Sequence, residues 1–176
     1  MKNNQTIRSF NQKGFTLIEL LVVIAIVGVL VGVIFVALNP AARFQQARDS
    51  VRQNAVQEIL SAIKLHQVDN GGTYLASIAA LTAGNTFMIT GQALGVGCNS
   101  TCDAAITSGS SCVDLAGLAT AGYLKSVPIS PKGVTTWDIG SSKGTGFALS
   151  IDTNGLATVT ACESEATATP TISASR

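Results

Sequence analysis

The hydrophobic pattern changes character twice along this chain of 176 residues. From Phe15 to Leu38 every position is apolar or glycine except Thr16 and Glu19, and Glu19 alone carries a charge. As a helix these 24 residues rise roughly 36 Å, against about 30 Å for the hydrocarbon core of a bilayer. Residues 15–38 are therefore expected to span a membrane. After Asn39-Pro40 the apolar positions recur at threes and fours: Phe44, Ala47, Val51, Ala55, Ile59, Ala62 and Ile63. That spacing predicts one apolar face of an amphipathic helix over residues 39–70, with Arg43, Arg48, Arg52, Glu58 and Lys64 mostly off it. Pro40 either kinks the helix or opens a new one capped by Asn39. Asn70-Gly71-Gly72 ends it.

Past Gly72 the period falls to two. Residues 73–97 are weakly patterned, with a candidate strand at 86–90, and residues 112–119 predict a short helix. A strand carrying Trp137 is expected over 134–139. Residues 146–151 and 156–160 alternate on either side of Asp152-Thr153-Asn154-Gly155, which predicts a hairpin. The fold class is then α+β: a long N-terminal helix packed on a small antiparallel sheet of three or four strands. The expected segments are 1–14, a leader; 15–38, the apolar helix; 39–70, the amphipathic helix; 71–162, a globular head; and 163–176, a Ser/Thr/Ala-rich mobile tail.

Charge sets the orientation. Lys2, Arg8 and Lys13 precede the span and no acid accompanies them, so the N-terminus faces the cytoplasm and the head lies outside. A secretory signal peptide fits poorly: the apolar run is too long, and Val36-Ala37-Leu38 is a weak cleavage site. Glu19 is the anomaly, because an acid at bilayer depth costs on the order of 3 kcal/mol and calls for a partner. Further along the span, Gly28 and Gly32 stand one turn apart, a spacing that lets helices approach closely.

Composition narrows the function classes. Without Lys2, Arg8 and Lys13, the 11 basic residues fall to 8 against 10 acids, a net of −2. No basic excess remains for sequence-independent nucleic-acid binding. No Walker A, histidine-based triad or HExxH is present, no paired acids stand out as a catalytic set, and no cofactor or metal motif is found. The one histidine, His66, is expected on solvated surface. Cys98, Cys102, Cys112 and Cys162 in an exported domain favour two disulfides, and spacing leaves all three pairings open. Cys162 must reach back about fifty residues or more, a loop whose closure is worth roughly 3–4 kcal/mol. Zinc is a poor alternative for a C-x-x-x-C with one distant cysteine.

Lys13-Gly14-Phe15-Thr16-Leu17-Ile18-Glu19, running into an unbroken apolar helix, resembles the prepilin signal of type IV pilins and type II secretion pseudopilins. The resemblance implies cleavage between Gly14 and Phe15 by a prepilin peptidase, and N-methylation of the new Phe15 amine. It further implies that Glu19 pairs with that amine, in its own chain or in a neighbouring subunit. The helix would be the pilin spine, with Gly28 and Gly32 against neighbouring helices. One departure is the proline, which pilins often carry where this chain has Val36. The segment from Tyr123 to Pro131 is similar to a pseudopilin loop, with Ser130 in place of the usual aspartate, so calcium binding is not carried over. A disulfide from Cys162 resembles the one that pins the C-terminal region of many pilins. The implied function is a structural, non-enzymatic pilus subunit that polymerises with its own kind and supports adhesion, motility or DNA uptake. Implied partners are the peptidase/methyltransferase, the assembly platform and, before assembly, the membrane. A pseudopilin of a type II secretion system is the second reading, and a membrane-anchored binding protein that never polymerises is the third.

Overall fold

Two consecutive helices open the fold in a computed structural model that describes residues 14–91, 112–131, 137–139, 142–166 and 172–176. The chain divides into two compact units between Pro40 and Ala41. The first contains α1, Leu17–Leu38, which buries none of its residues. Asn39 closes it in the left-handed region, with φ 37° and ψ 72°. Asparagine tolerates that conformation because its short side chain bonds locally. α2, Pro40–Asp69, then begins at the proline, whose missing N–H costs nothing at a first position. Of the two alternatives at Asn39-Pro40, the new helix is the one formed.

In the second unit α2 packs through Arg52, Ala55, Val56, Ile59, Leu60, Ala62 and Ile63. This corrects the apolar face expected from spacing, for Phe44 and Val51 are 66% and 53% exposed and Ala47 is exposed too. At about 100° per residue, Ala55, Ile59, Ala62 and Ile63 fit the expected stripe but lie on one flank of a wider buried arc. Its middle contains Arg52, and Phe44, Ala47 and Val51 fall at its rim.

The sheet runs in the order β2-β1-β4-β5-β6, with β3 beside β4. Its strands are β1 Thr86–Thr90, β2 Cys112–Asp114, β3 Asp138–Ile139, β4 Ser142–Ile151, β5 Ala157–Ala161 and β6 Ser173–Ser175. Two short helices, α3 Ala76–Ala79 and α4 Ala116–Thr120, flank it. The layered α+β arrangement is the expected one, but the sheet is mixed rather than antiparallel. β2 runs parallel to β1, pairing Met88 with Cys112, as the long connection over residues 91–111 permits. The hairpin of β4 and β5 forms as predicted, pairing Phe147 with Ala161 and Ile151 with Ala157. Its turn is fixed by Asp152, whose Oδ1 accepts from the amides of Asn154 at 2.8 Å and Leu156 at 2.7 Å. Residues 112–119, expected as one helix, split into β2 and α4, because Val113 is drawn into the core as a strand residue beside Ile89.

One sheet face, with Phe87, Ile89, Val113, Phe147, Leu149 and Val159, shares a core with the buried side of α2. The other face carries a smaller cluster of Met88, Trp137, Ala148 and Cys162, each no more than 3% exposed. The C-terminal residues also depart from expectation. Instead of a mobile tail, Ser173–Ser175 pairs antiparallel with β5, and Arg176 exchanges both backbone bonds with Ala157 at 3.0 Å. His66 is half-buried rather than solvated: its ring meets the edge of Tyr123 at 5.3 Å, and its Nδ1 has no hydrogen-bond partner. The leader up to residue 13, Cys98 and Cys102, and residues 134–136 of the expected strand lie outside the described residues.

Candidate functional site

The residues singled out at the N-terminus form a closed local arrangement. Thr16 adopts extended backbone, φ −81° and ψ 151°, and caps α1. Its Oγ1 accepts the Glu19 amide at 3.3 Å, while Glu19 Oε2 accepts the Thr16 amide at 3.0 Å and the Thr16 hydroxyl at 2.9 Å. This capping box satisfies two of the helix's orphan N–H groups with one pair of side chains. The Thr16-Leu17-Ile18-Glu19 spacing is the sequence signature of such a box, and the cap role of Thr16 was not among the expectations. The carboxylate is thereby held one residue beyond Phe15, at the positive end of the helix. Gly14 and Phe15 are exposed, Phe15 by 86%. Chemically the site presents an accessible Gly14–Phe15 peptide next to an anion whose position is already fixed.

Further along α1, Gly28 and Gly32 line a shallow apolar groove with Val29, Val33, Val36 and Ala37. A Cβ at either glycine would meet nothing within 4 Å. Among the described residues nothing requires glycine at these two positions.

A second constellation, unforeseen from sequence, lies in the head. Arg52 is fully buried on α2. Its Nε donates to Ser130 Oγ at 3.0 Å and its Nη1 to Asp49 Oδ1 at 2.6 Å. Its Nη2 reaches Glu163 Oε1 at 2.8 Å, Glu165 Oε1 at 2.7 Å and the Pro131 carbonyl at 3.2 Å. Arg48 grips the same Glu165 through Nε at 2.8 and 2.9 Å and through Nη2. Asp49 in turn accepts the backbone amides of Glu165 and Ala166. Trp137 Nε1 donates to Glu163 at 3.3 Å. Gly146, at φ +79°, makes room for all this: a Cβ there would fall 2.6 Å from Trp137 Nε1 and 2.7 Å from Ser130 Cβ.

The electrostatics follow from the geometry. The hydrogen bonds from Arg48, opposed by burial and joined by those from Arg52, hold the Glu165 carboxyl below its ordinary range. Burial pushes Asp49 up, but the amides of Ala166 and Glu165 and the Arg52 guanidinium outweigh it and leave it lowered. Ser130, which stands where the resembled loop usually has an aspartate, is 5% exposed and serves as an acceptor for Arg52. Among the described residues no group of three or more His, Cys, Asp or Glu side chains could hold a metal ion.

Of the four cysteines, Cys112 and Cys162 are described, and both are disulfide-bonded. Cys112 lies on β2 and Cys162 follows β5, with β1 and β4 between them. Three strand spacings separate their Cα atoms by about 14 Å, far beyond the roughly 4.4–6.8 Å a disulfide spans. They are not bonded to each other.

An apolar helix that opens on a Gly-Phe-Thr-Leu-Ile-Glu cap, followed by an α+β head, gives the chain a pilin-like architecture. The description of the prokaryotic N-terminal methylation motif matches residues 9–35. Over 71 residues the chain is 39% identical to the Type IV wide pilus major component PilA4 of Thermus thermophilus. That alignment covers 40% of this chain and 52% of the relative, so the chain spans about half the length of the curated relative it matches. No solved structure matches the chain. Motif, relative and architecture together support the type IV pilin family.

Proposed function

We propose that this chain is a structural subunit of a type IV pilus, cut between Gly14 and Phe15, N-methylated at Phe15 and polymerised through α1. The observation that carries the reading is α1 itself: 22 residues, all apolar or glycine except Glu19 in the first turn, and none of them buried. Such a surface needs either lipid or neighbouring helices to cover it. Before assembly the helix crosses the cytoplasmic membrane once, with the N-terminus inside. In the filament neighbouring copies cover it, and close approach at Gly28 and Gly32 uses the groove those residues leave. Cleavage creates a positive amine at Phe15, one residue from the peptide N–H that Glu19 already accepts. The carboxylate is thus positioned for an ammonium group from its own chain or an incoming one.

The partners are further pilin copies, the prepilin peptidase/methyltransferase and an assembly platform. Adhesion, motility or DNA uptake would follow from the filament. Similarity to a pilus component favours a pilus over a secretion pseudopilus. Mass spectrometry of sheared extracellular filaments tests the proposal. A mature chain starting at N-methyl-Phe15 is expected, and its loss from filaments on Glu19→Ala. Recovery of full-length chain alone, confined to membranes, would refute it.

A further inference from the structure

Assembly through α1 makes no use of the charge cluster around Arg52, which joins α2 to a segment more than a hundred residues away in sequence. Residues 163–166 belong to no strand. They are held by polar bonds: Glu163 to Arg52 and Trp137, Ser164 to Asp49 at 3.3 Å, Glu165 to Arg48 and Arg52, and the Glu165 and Ala166 amides to Asp49. Downstream, β6 is only Ser173-Ala174-Ser175 at the edge of the sheet, with both serines exposed. Its apolar grip consists of Ile172 and Ala174, each only partly buried. A three-residue polar strand has little means of holding an edge by itself. Upstream, Cys162 is 2% exposed and disulfide-bonded, so the chain is covalently fixed immediately before Glu163.

We propose that Arg48, Asp49 and Arg52 form a latch that holds residues 163–166 and β6 on the head, and that this C-terminal segment opens as a unit while the remaining sheet stays folded. Cys162 marks where the opening starts. Opening bares the outer edge of β5, where the amides of Ala157 and Ala161 now donate to Arg176 and Ile172 at 3.0 and 2.8 Å.

The test is hydrogen–deuterium exchange by mass spectrometry on the full chain in detergent micelles, comparing wild type with Glu165→Gln and Asp49→Asn. Both changes keep side-chain shape and remove one carboxylate of the latch. We expect exchange about tenfold faster or more in peptides covering 163–166, 172–176 and the β5 strand. Peptides covering 55–63 of α2 and 86–90 of β1 exchange through unfolding of the whole head and should stay slower than the C-terminal peptides in wild type and in both variants. Exchange of 172–176 and β5 no faster than that of α2 and β1, in wild type and in both variants, would show that the segment opens only with the whole head and would overturn the latch. So would unchanged exchange in 172–176 for both variants.

Discussion

Replacing Arg52 by methionine keeps an unbranched side chain in the middle of the buried arc of α2 and removes its charge. The consequences can be worked out partner by partner. Glu165 retains Arg48, and Asp49 retains the amides of Glu165 and Ala166. Glu163 is the exception, for its side chain is 10% exposed and only the Trp137 N–H would remain to it. The main cost is therefore one carboxylate left buried without a cation, about 3–5 kcal/mol when a buried pair loses one partner. The acceptors Ser130 Oγ and Pro131 O also lose their donor, each about 1 kcal/mol or more if no water replaces it. Urea unfolding of the full chain in micelles, followed by emission of the single Trp137 beside the cluster, reads this directly. The decisive comparison is Arg52→Met with Glu163→Gln. If the cost lies in the orphaned carboxylate, the double variant regains about 1–3 kcal/mol relative to the sum of the singles. A loss below about 1 kcal/mol for Arg52→Met, or strict additivity in the double variant, would refute the reasoning.

Three further outcomes are expected. Gly146→Ala combines a φ of +79° with a Cβ closer than 3 Å to both Trp137 and Ser130, and should lower stability by about 2 kcal/mol or more in the same urea experiment; a change below about 0.5 kcal/mol would contradict the packing described. Asp49 and Glu165 both sit below their ordinary values of 3.8 and 4.5, so the unfolded chain binds protons before the folded one does. Their contribution is full above about pH 5 and disappears as the pH falls through and below about 4; stability measured from pH 7 to 3 should decline in that window, and a flat profile would count against the cluster. Non-reducing peptide mapping should find no peptide linking Cys112 to Cys162. Finding that linkage would mean the strand order separating them is wrong.

Sequence periodicity identified the elements whose pattern is set locally and missed those whose pattern is set at a distance. The apolar helix, the stop at Asn70-Gly71-Gly72 and the β4–β5 hairpin each depend on neighbours in the chain, and each formed where expected. β2 and β6 are three residues long and owe their state to the strand beside them, which no local pattern reveals. Arg52 shows the same limit more sharply. An arginine in an amphipathic helix reads as solvated, and its burial follows only once Glu163 and Glu165 are brought to it from the far end of the chain. The one available clue was the pair of acids just after Cys162 in a tail otherwise nearly free of charge. The N-terminal site was far more visible, because Gly14, Phe15, Thr16 and Glu19 act through adjacent turns.

Glu19 and Arg52 are both charges at positions that hydrophobic patterning would assign to apolar residues, and their surroundings resolve them in opposite ways. All three nitrogens of Arg52 donate within the chain, to three carboxylates, a hydroxyl and a carbonyl. A charge so fully partnered contributes to holding one fold and has no bond to offer outward. Among the described residues Glu19 accepts from Thr16 alone, with apolar helix after it. Its Oε2 takes both of those bonds, while Oε1 accepts none among the described residues. A carboxylate has room for several donors, so a cation can be added without breaking the cap. On the proposed reading, that spare capacity separates a charge available to assembly from one spent on folding. It also predicts an asymmetry: Glu19→Gln should leave the head's urea midpoint where it is, while Arg52→Met lowers it, and only Glu19→Gln should act on filament yield with the head intact.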